Sequence, residues 1–224
     1  MERFCFIVGG GPSLIDFDFS ILKNQDIIVV NQAIFQVPKA KYFITMDYTW
    51  LLKSEVLTSA VHRNQFIKHP AEKFFVLALE ENRLIPIDEF HCIDKKFGLH
   101  YDLSLFNNVI RSLKHGGIGT TLQDFHSGSD SGFSALQLAV ILGYKKIYLL
   151  GFDFCTLNSE THFHQDYKNY AISNYQKKLD EFFGLYPPTL QILRNMGIQV
   201  FSCSHCSKLN DYILYFNPNY ISGL

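Results

Sequence analysis

The residues of this chain best placed by type and spacing to do chemistry are His162, His164 and Asp166, in the segment "THFHQDY" (161–167). In an extended segment these three side chains share one side, because side chains alternate with period two. An imidazole with an orienting carboxylate can move protons near neutral pH. Two imidazoles and one carboxylate also have the composition of a metal site. A polar surface loop would carry the same residues, so the segment by itself leaves all three readings open.

A second cluster opens the chain. "FIVGGGPSL" (6–14) runs an apolar stretch into Gly9, Gly10 and Gly11, then Pro12 and Ser13. A turn needs one glycine; three suggest that something must approach the backbone, and a nucleotide phosphate or ribose at a strand end is the usual occupant. The dinucleotide fingerprint would need a glycine where Leu14 stands and an acidic residue where Asn31 ends the second apolar run, and a P-loop lysine is missing. NAD and ATP sites of the usual kind are therefore not expected.

Other polar residues fall at the ends of apolar runs: Asn31 and Gln32 after "DIIVV", Asp47 after "KYFITM", and Asp153 after "IYLLGF". The neutral amides of Asn31 and Gln32 suit a base edge or a ribose. Ser131 and Gly132, in "SGSDSG", open an apolar helix and could set a hydroxyl and backbone N–H groups against a phosphate. Asp16 and Asp18 ("DFD") have the Asp-x-Asp spacing of metal-dependent glycosyltransferases, but fall within the helix expected over 13–22, where acidic residues favour the dipole. "CSHC" (203–206) has zinc-like spacing without a second pair nearby. Neither is assigned a site, and no metal ligands are expected.

These residues need elements to hold them. "FCFIV", "DIIVVN", "KYFITMD" and "KFFVLAL" are continuous apolar runs of strand length, which suits a parallel sheet buried on both faces. Residues 13–22 have helical apolar spacing. "FSALQLAVILGYKKIYLLGFDF" (133–154) and "PPTLQILRNMGIQVFSC" (187–203) each read helix, glycine cap, strand. The expected fold is α/β: a Rossmann-like, mostly parallel sheet between helices, forming a single domain over 1–224. Residues 81–131 and 155–186 are left as loops, short helices and lid or insert segments.

Composition bounds the rest. The chain has 224 residues, 47% hydrophobic and 18% charged, with a formal net charge of −1 and scattered Lys and Arg. A disordered chain and an electrostatic track for nucleic acid are both excluded. The first residues carry too short an apolar stretch for a signal peptide, and no later run approaches a membrane span. Five cysteines without a framework spacing point to reduced thiols and a cytoplasmic setting.

With these residues placed, "GGGPSL", "VVNQ", "SGFSALQLAVILGYKKIYLLGFDF" and "SCSHCSKLN" together resemble the small bacterial sialyltransferases. The skeleton is also similar to the central domain of motility-associated glycosyltransferases, to hydroxymethylpterin diphosphokinase-like proteins, and to phage-type proteins with a His-x-His-x-Asp segment. The resemblance implies a metal-independent transferase using a cytidine-nucleotide sugar such as a CMP-sugar, with no further cofactor, and a glycan or small-molecule acceptor. It implies that Gly9, Gly10, Gly11, Ser13, Asn31, Gln32 and Asp47 hold the nucleotide, that Ser131 and Gly132 lie near the phosphate, and that Asp153 sits at the sugar or ribose edge. The base would be a histidine, with His162 and His164 as candidates and Asp166 as the carboxylate that orients it. Two departures stand out: the family's turn asparagine is Gly10 here, and its base lies further from the Gly-x-Asp strand than either histidine does. A Mg²⁺-dependent phosphoryl or pyrophosphoryl transferase and a non-catalytic nucleotide-binding protein remain alternatives, and assembly into a homo-oligomer is open.

Overall fold

The first apolar run forms β1 (Phe4–Val8), and every residue after Phe4 is buried. The computed structural model describes residues 2–47, 60–79, 103–113, 116–128, 130–163 and 172–223. After β1 come β2 (Ile27–Val30), β3 (Tyr42–Thr45), the helix α1 (Ala60–Lys68), β4 (Glu72–Leu79) and β5 (Asn108–Leu113). The second half runs α2 (Ser131–Ile141), β6 (Lys146–Leu150), α3 (Ile172–Phe183), α4 (Tyr186–Asn195), β7 (Gln199–Ser202) and β8 (Leu214–Tyr215).

The eight strands form one sheet in the order β5-β4-β3-β2-β1-β6-β7-β8. Every pairing is parallel. The chain builds outward from β1 to β5, then crosses back and builds from β6 to β8. The reversal lies between β1 and β6, where Ile7 pairs with Leu149 and Val8 with Leu150. In open parallel sheets the crevice at such a switch, beyond the carboxyl ends of the strands, is where ligands bind.

Period-two alternation divides the core into two layers. Cys5 and Ile7 face one side with Phe133, Leu136 and Val140 of α2 and Leu190 and Leu193 of α4. Phe6 and Val8 face the other with Leu22, Ile34 and Phe66 of α1. Burial on both faces explains why the central strands read as continuous apolar runs rather than alternating ones.

Two expectations change. The helix expected over 13–22 is instead two 3₁₀ turns, Pro12–Leu14 and Phe19–Leu22. Asp16 lies between them in the left-handed region, at φ 64, and Asp18 caps the second turn by accepting from the Ser20 N–H. Apolar residues at helical spacing thus mark a buried face without requiring an α-helix. Within 81–131, taken as loops, short helices and a lid, residues 108–113 form β5; its mixed polarity ("NVIRSL") suits a strand whose one partner among the described residues is β4. Within 155–186, residues 172–183 form α3. The glycine caps behave as expected: Gly143 and Gly197 have φ of 82 and 71. Among the described residues no helix is long and apolar enough to cross a membrane.

Candidate active site

Beyond the carboxyl ends of β1, β2, β3 and β6 lies a cavity of about 450 Å³. Gly9, Gly10, Gly11, Asn31, Asp47, Ser131, Gly132, Asp153 and His162 all line it, as do Asp130, Tyr175 and Lys178. Residues from both ends of the sequence therefore meet at the topological switch. Two expected residues do not reach the cavity. Ser13 is engaged elsewhere, and Gln32 is buried with its side chain not among the lining residues. His164 and Asp166 lie outside the described residues.

The glycine turn is packed first against the chain itself. Gly9 N–H donates to Leu150 O at 2.8 Å and Gly11 N–H to Gly151 O at 2.9 Å. A Cβ on Gly9 would stand 2.9 Å from Gly151 O, and one on Gly11 2.5 Å from Asp153 Oδ2. Two of the three glycines are thus required by the close approach of the β1 and β6 turns. The Gly10 carbonyl accepts from Phe163 N–H at 3.1 Å, and Gly10 also lines the cavity.

Asp153 clamps these turns together. Its carboxylate, almost wholly buried, accepts from Ser13 N–H and from Ser13 Oγ, each at 2.7 Å. Both carboxylate oxygens are engaged with Ser13, and Asp153 also lines the cavity, so it joins the β1 and β6 turns at the edge of the site. A buried carboxylate held this way satisfies donors that a 3₁₀ turn would otherwise leave orphaned.

Asn31 has φ 51, a left-handed conformation that asparagine tolerates better than most residues. Its Oδ1 accepts from Thr45 Oγ1 at 2.7 Å, and Thr45 Oγ1 accepts from Asp47 N–H at 3.1 Å. The ends of β2 and β3 are thereby joined. Ser131 Oγ accepts from Met46 N–H at 3.1 Å and joins β3 to the start of α2.

The N-terminus of α2 is occupied by its own cap. Asp130 accepts from Gly132 N–H at 2.9 Å, from Phe133 N–H at 3.3 Å and from Tyr186 Oη at 2.7 Å. The N–H group of Gly132, expected to be free for a phosphate, is already paired. Burial raises the Asp130 carboxyl above the ordinary carboxylate range, against the lowering effect of these three donors. Gly132 is required by its surroundings, since a Cβ there would stand 2.8 Å from Phe152 Cε1. The signal for Asp130 was present in the sequence, as a capping residue one position before Ser-Gly.

The opposite wall comes from the segment after β6 and from α3. His162 Nδ1 lies 3.1 Å from Thr161 Oγ1, and Tyr175 Oη lies 3.0 Å from His162 Nε2. Tyr175, Lys178, Leu179 and Phe182 form one stripe of α3 at helical spacing along the cavity. Lys178 is the one lysine or arginine among the described lining residues. α3 is anchored by Gln176 Nε2 donating to Phe154 O at 3.2 Å and by the Lys208–Asp180 ion pair. The spacing of this stripe was legible in the sequence, but nothing there related it to β1.

Among the described residues no three His, Cys, Asp or Glu side chains gather as a metal-binding group. The zinc-like spacing of Cys203 and Cys206 does not assemble such a group; Cys203 is buried in the core behind β1.

No protein-family model matches the chain, and no curated protein matches it in sequence. Solved structures do. A tyrosine-to-phenylalanine variant of the sialyltransferase CST-II, in complex with CMP, matches with a TM-score of 0.54 and 21% identity, over 96% of this chain and 87% of that one. The sialyltransferase CST-II in complex with a trisaccharide acceptor and CMP matches with a TM-score of 0.51 and 19% identity, over 97% and 88%. A MAf glycosyltransferase from Magnetospirillum magneticum AMB-1 matches with a TM-score of 0.48 and 16% identity, over 98% of this chain and 34% of that one. The chain has the α/β fold of the sialyltransferase CST-II, built around a fully parallel sheet.

Proposed function

We propose that this protein is a glycosyltransferase that moves a sugar from a cytidine-nucleotide donor to a glycan or small-molecule acceptor without a metal ion. The carrying observation is the cavity at the β1–β6 switch, where the glycine turn, Asn31 and Ser131–Gly132 face His162, Tyr175 and Lys178. The matched sialyltransferase, solved with CMP and with a trisaccharide acceptor, supports the choice of donor and acceptor class.

In this reading the nucleotide lies against Gly10 and Asn31, its base meeting neutral amide groups. The departing phosphate leaves next to Lys178, whose ammonium offsets the developing charge. His162 takes the proton of the attacking acceptor hydroxyl, with Tyr175 Oη and Thr161 Oγ1 orienting its ring. Asp130 and Asp153 position the loops rather than touching the reacting atoms. His164 stays a candidate for the same proton transfer, with Asp166 as an orienting carboxylate.

The test is a thermal-shift panel of cytidine, uridine, guanosine and adenosine mono-, di- and triphosphates, each with EDTA and with Mg²⁺. Ligand at a hundred times its Kd adds about 2.7 kcal/mol. Stabilisation by a cytidine nucleotide in EDTA, followed by transfer from a CMP-sugar, is expected. Stabilisation only by a purine triphosphate with Mg²⁺ would replace this reading with pyrophosphoryl transfer. Tight cytidine-nucleotide binding with no turnover on any donor would leave a binding protein.

A further inference from the structure

Two thiols lie beside the cavity in a frame that holds them together. Cys155 lines the cavity just after Asp153, and its thiol donates to Cys206 O at 3.4 Å. Cys206 Sγ lies 3.4 Å from Ser204 Oγ. Both residues are partly accessible, whereas Cys5 and Cys203 are buried. The loops that carry the pair are stitched from both sides. Cys203 N–H donates to Leu149 O at 2.8 Å, Lys208 N–H to Asp153 O at 3.2 Å, and Ser207 Oγ to Phe152 O. They extend from the adjacent parallel strands β6 and β7, where Leu149 pairs with Ser202.

We propose that Cys155 and Cys206 are a modification site that closes to a disulfide on exposure to hydrogen peroxide or an organic hydroperoxide. Cys206, on the outer loop, meets the oxidant. Its sulfur takes the terminal peroxide oxygen, the O–O bond breaks, and water (or an alcohol) leaves. The Cys155 sulfur then displaces the hydroxyl of the Cys206 sulfenic acid; an S–S bond forms, the S–O bond breaks, and a second water leaves. Two thiols lose two electrons and two protons to one peroxide.

The order of events follows from the surroundings of Cys155. Burial, then the charge and the hydrogen bond of Cys206, push the Cys155 thiol up to about 12, while Lys208 works the other way. A thiol held protonated is a poor first nucleophile. Oxidising Cys206 to a neutral sulfenic acid takes away the charge interaction by which it raises Cys155, so Cys155 becomes more acidic once its partner has reacted. The pair resists closure until Cys206 has been oxidised. This proposal does not rest on the transferase reading.

The experiment treats the folded protein with hydrogen peroxide, blocks remaining thiols with an alkylating agent, and maps cross-linked tryptic peptides by mass spectrometry. The peptide holding Cys155 should join the peptide Asn195–Lys208, lighter by two hydrogens than the sum of the parts, and dithiothreitol should release it. Because Cys203 and Cys206 share that peptide, Cys203→Ser assigns the link, and the cross-link should survive it. Cys155→Ser and Cys206→Ser should each abolish it, with Cys206 accumulating as the sulfinic acid in Cys155→Ser. A link through Cys5, Cys92 or Cys203, or sulfinic acid at Cys206 in the unmutated protein without a cross-link, would overturn the proposal.

Discussion

At the scale of single residues, Gly11 and Asp153 are halves of one contact. A Cβ on Gly11 would stand 2.5 Å from Asp153 Oδ2 and 2.7 Å from Gly151 O. Gly11→Ala should therefore cost about 1–3 kcal/mol of stability through overpacking. Asp153→Ala removes the acceptor for Ser13 N–H and Oγ and should cost about 1–3 kcal/mol through unsatisfied donors. Urea unfolding of the two single variants and the double variant should show partial coupling. The carboxylate collision vanishes in the double variant, while the collision with the Gly151 carbonyl remains. Strict additivity would mean that the carboxylate does not meet the glycine turn. For the chemistry, His162→Ala should lower the transfer rate by roughly 10²–10⁴-fold while leaving the cytidine-nucleotide thermal shift in place. Full turnover in His162→Ala with loss in His164→Ala would move the base to His164.

At the scale of elements, the start of α2 and the start of α4 share one buried group. Asp130 caps α2, and Tyr186, fully buried at the first residue of α4, donates to it. Asp130→Ala should cost about 0.5–2 kcal/mol for the cap alone, and more because the phenol is left without its acceptor. Tyr186→Phe should destabilise the unmutated background yet be close to neutral in Asp130→Ala, where the phenol has already lost its acceptor. A chemical-denaturation cycle reads this directly; equal costs in both backgrounds would mean that the pair is not coupled. The elements also show what periodicity can carry. The glycine caps at Gly143 and Gly197 and the proline-initiated α4 were legible because each is a local rule of backbone conformation. The 3₁₀ turns at 12–22 were not, since the same apolar spacing serves any segment that buries one face. β5 was missed because its mixed polarity hides a strand whose one partner among the described residues is β4.

At the scale of the whole molecule, pH acts on opposite ends of the sheet with opposite signs. At the amino ends of β2 and β3, Tyr144 Oη donates to Asp26 at 2.6 Å and Lys41 Nζ reaches both carboxylate oxygens at 3.0 Å. Burial alone would raise Asp26, but the Tyr144 and Lys41 hydrogen bonds outweigh it and hold the carboxyl below its ordinary value. A depressed folded pKa contributes stability above the unfolded pKa that is lost as pH falls through the folded one. Asp130, raised by burial, does the reverse: its ionisation weakens the fold as pH rises from its unfolded pKa through its folded pKa. Melting temperatures followed between pH 3 and pH 7 should show a shallower loss on lowering the pH in Asp26→Asn and a smaller loss on raising it in Asp130→Asn. An unchanged acid limb in Asp26→Asn would remove that ion pair from the account.

The sequence by itself determined the alternation of strands and helices, the parallel character of the sheet and the turn at 9–13, because apolar runs, caps and glycine turns are governed by neighbours along the chain. It also placed Gly9, Gly10, Gly11, Asn31, Asp47 and Asp153 of the cavity lining at strand ends, where an α/β sheet gathers its ligands. Only the tertiary structure decided what each group is free to do. Asp153 and the first N–H groups of α2 are engaged by partners as distant as 140 positions for Ser13 and as near as Asp130. The wall of Tyr175, Lys178 and Phe182 faces the glycine turn only because the strand order brings β1 beside β6. A residue's type records which bonds it can make; which remain open for a ligand depends on what the folded chain has already paired.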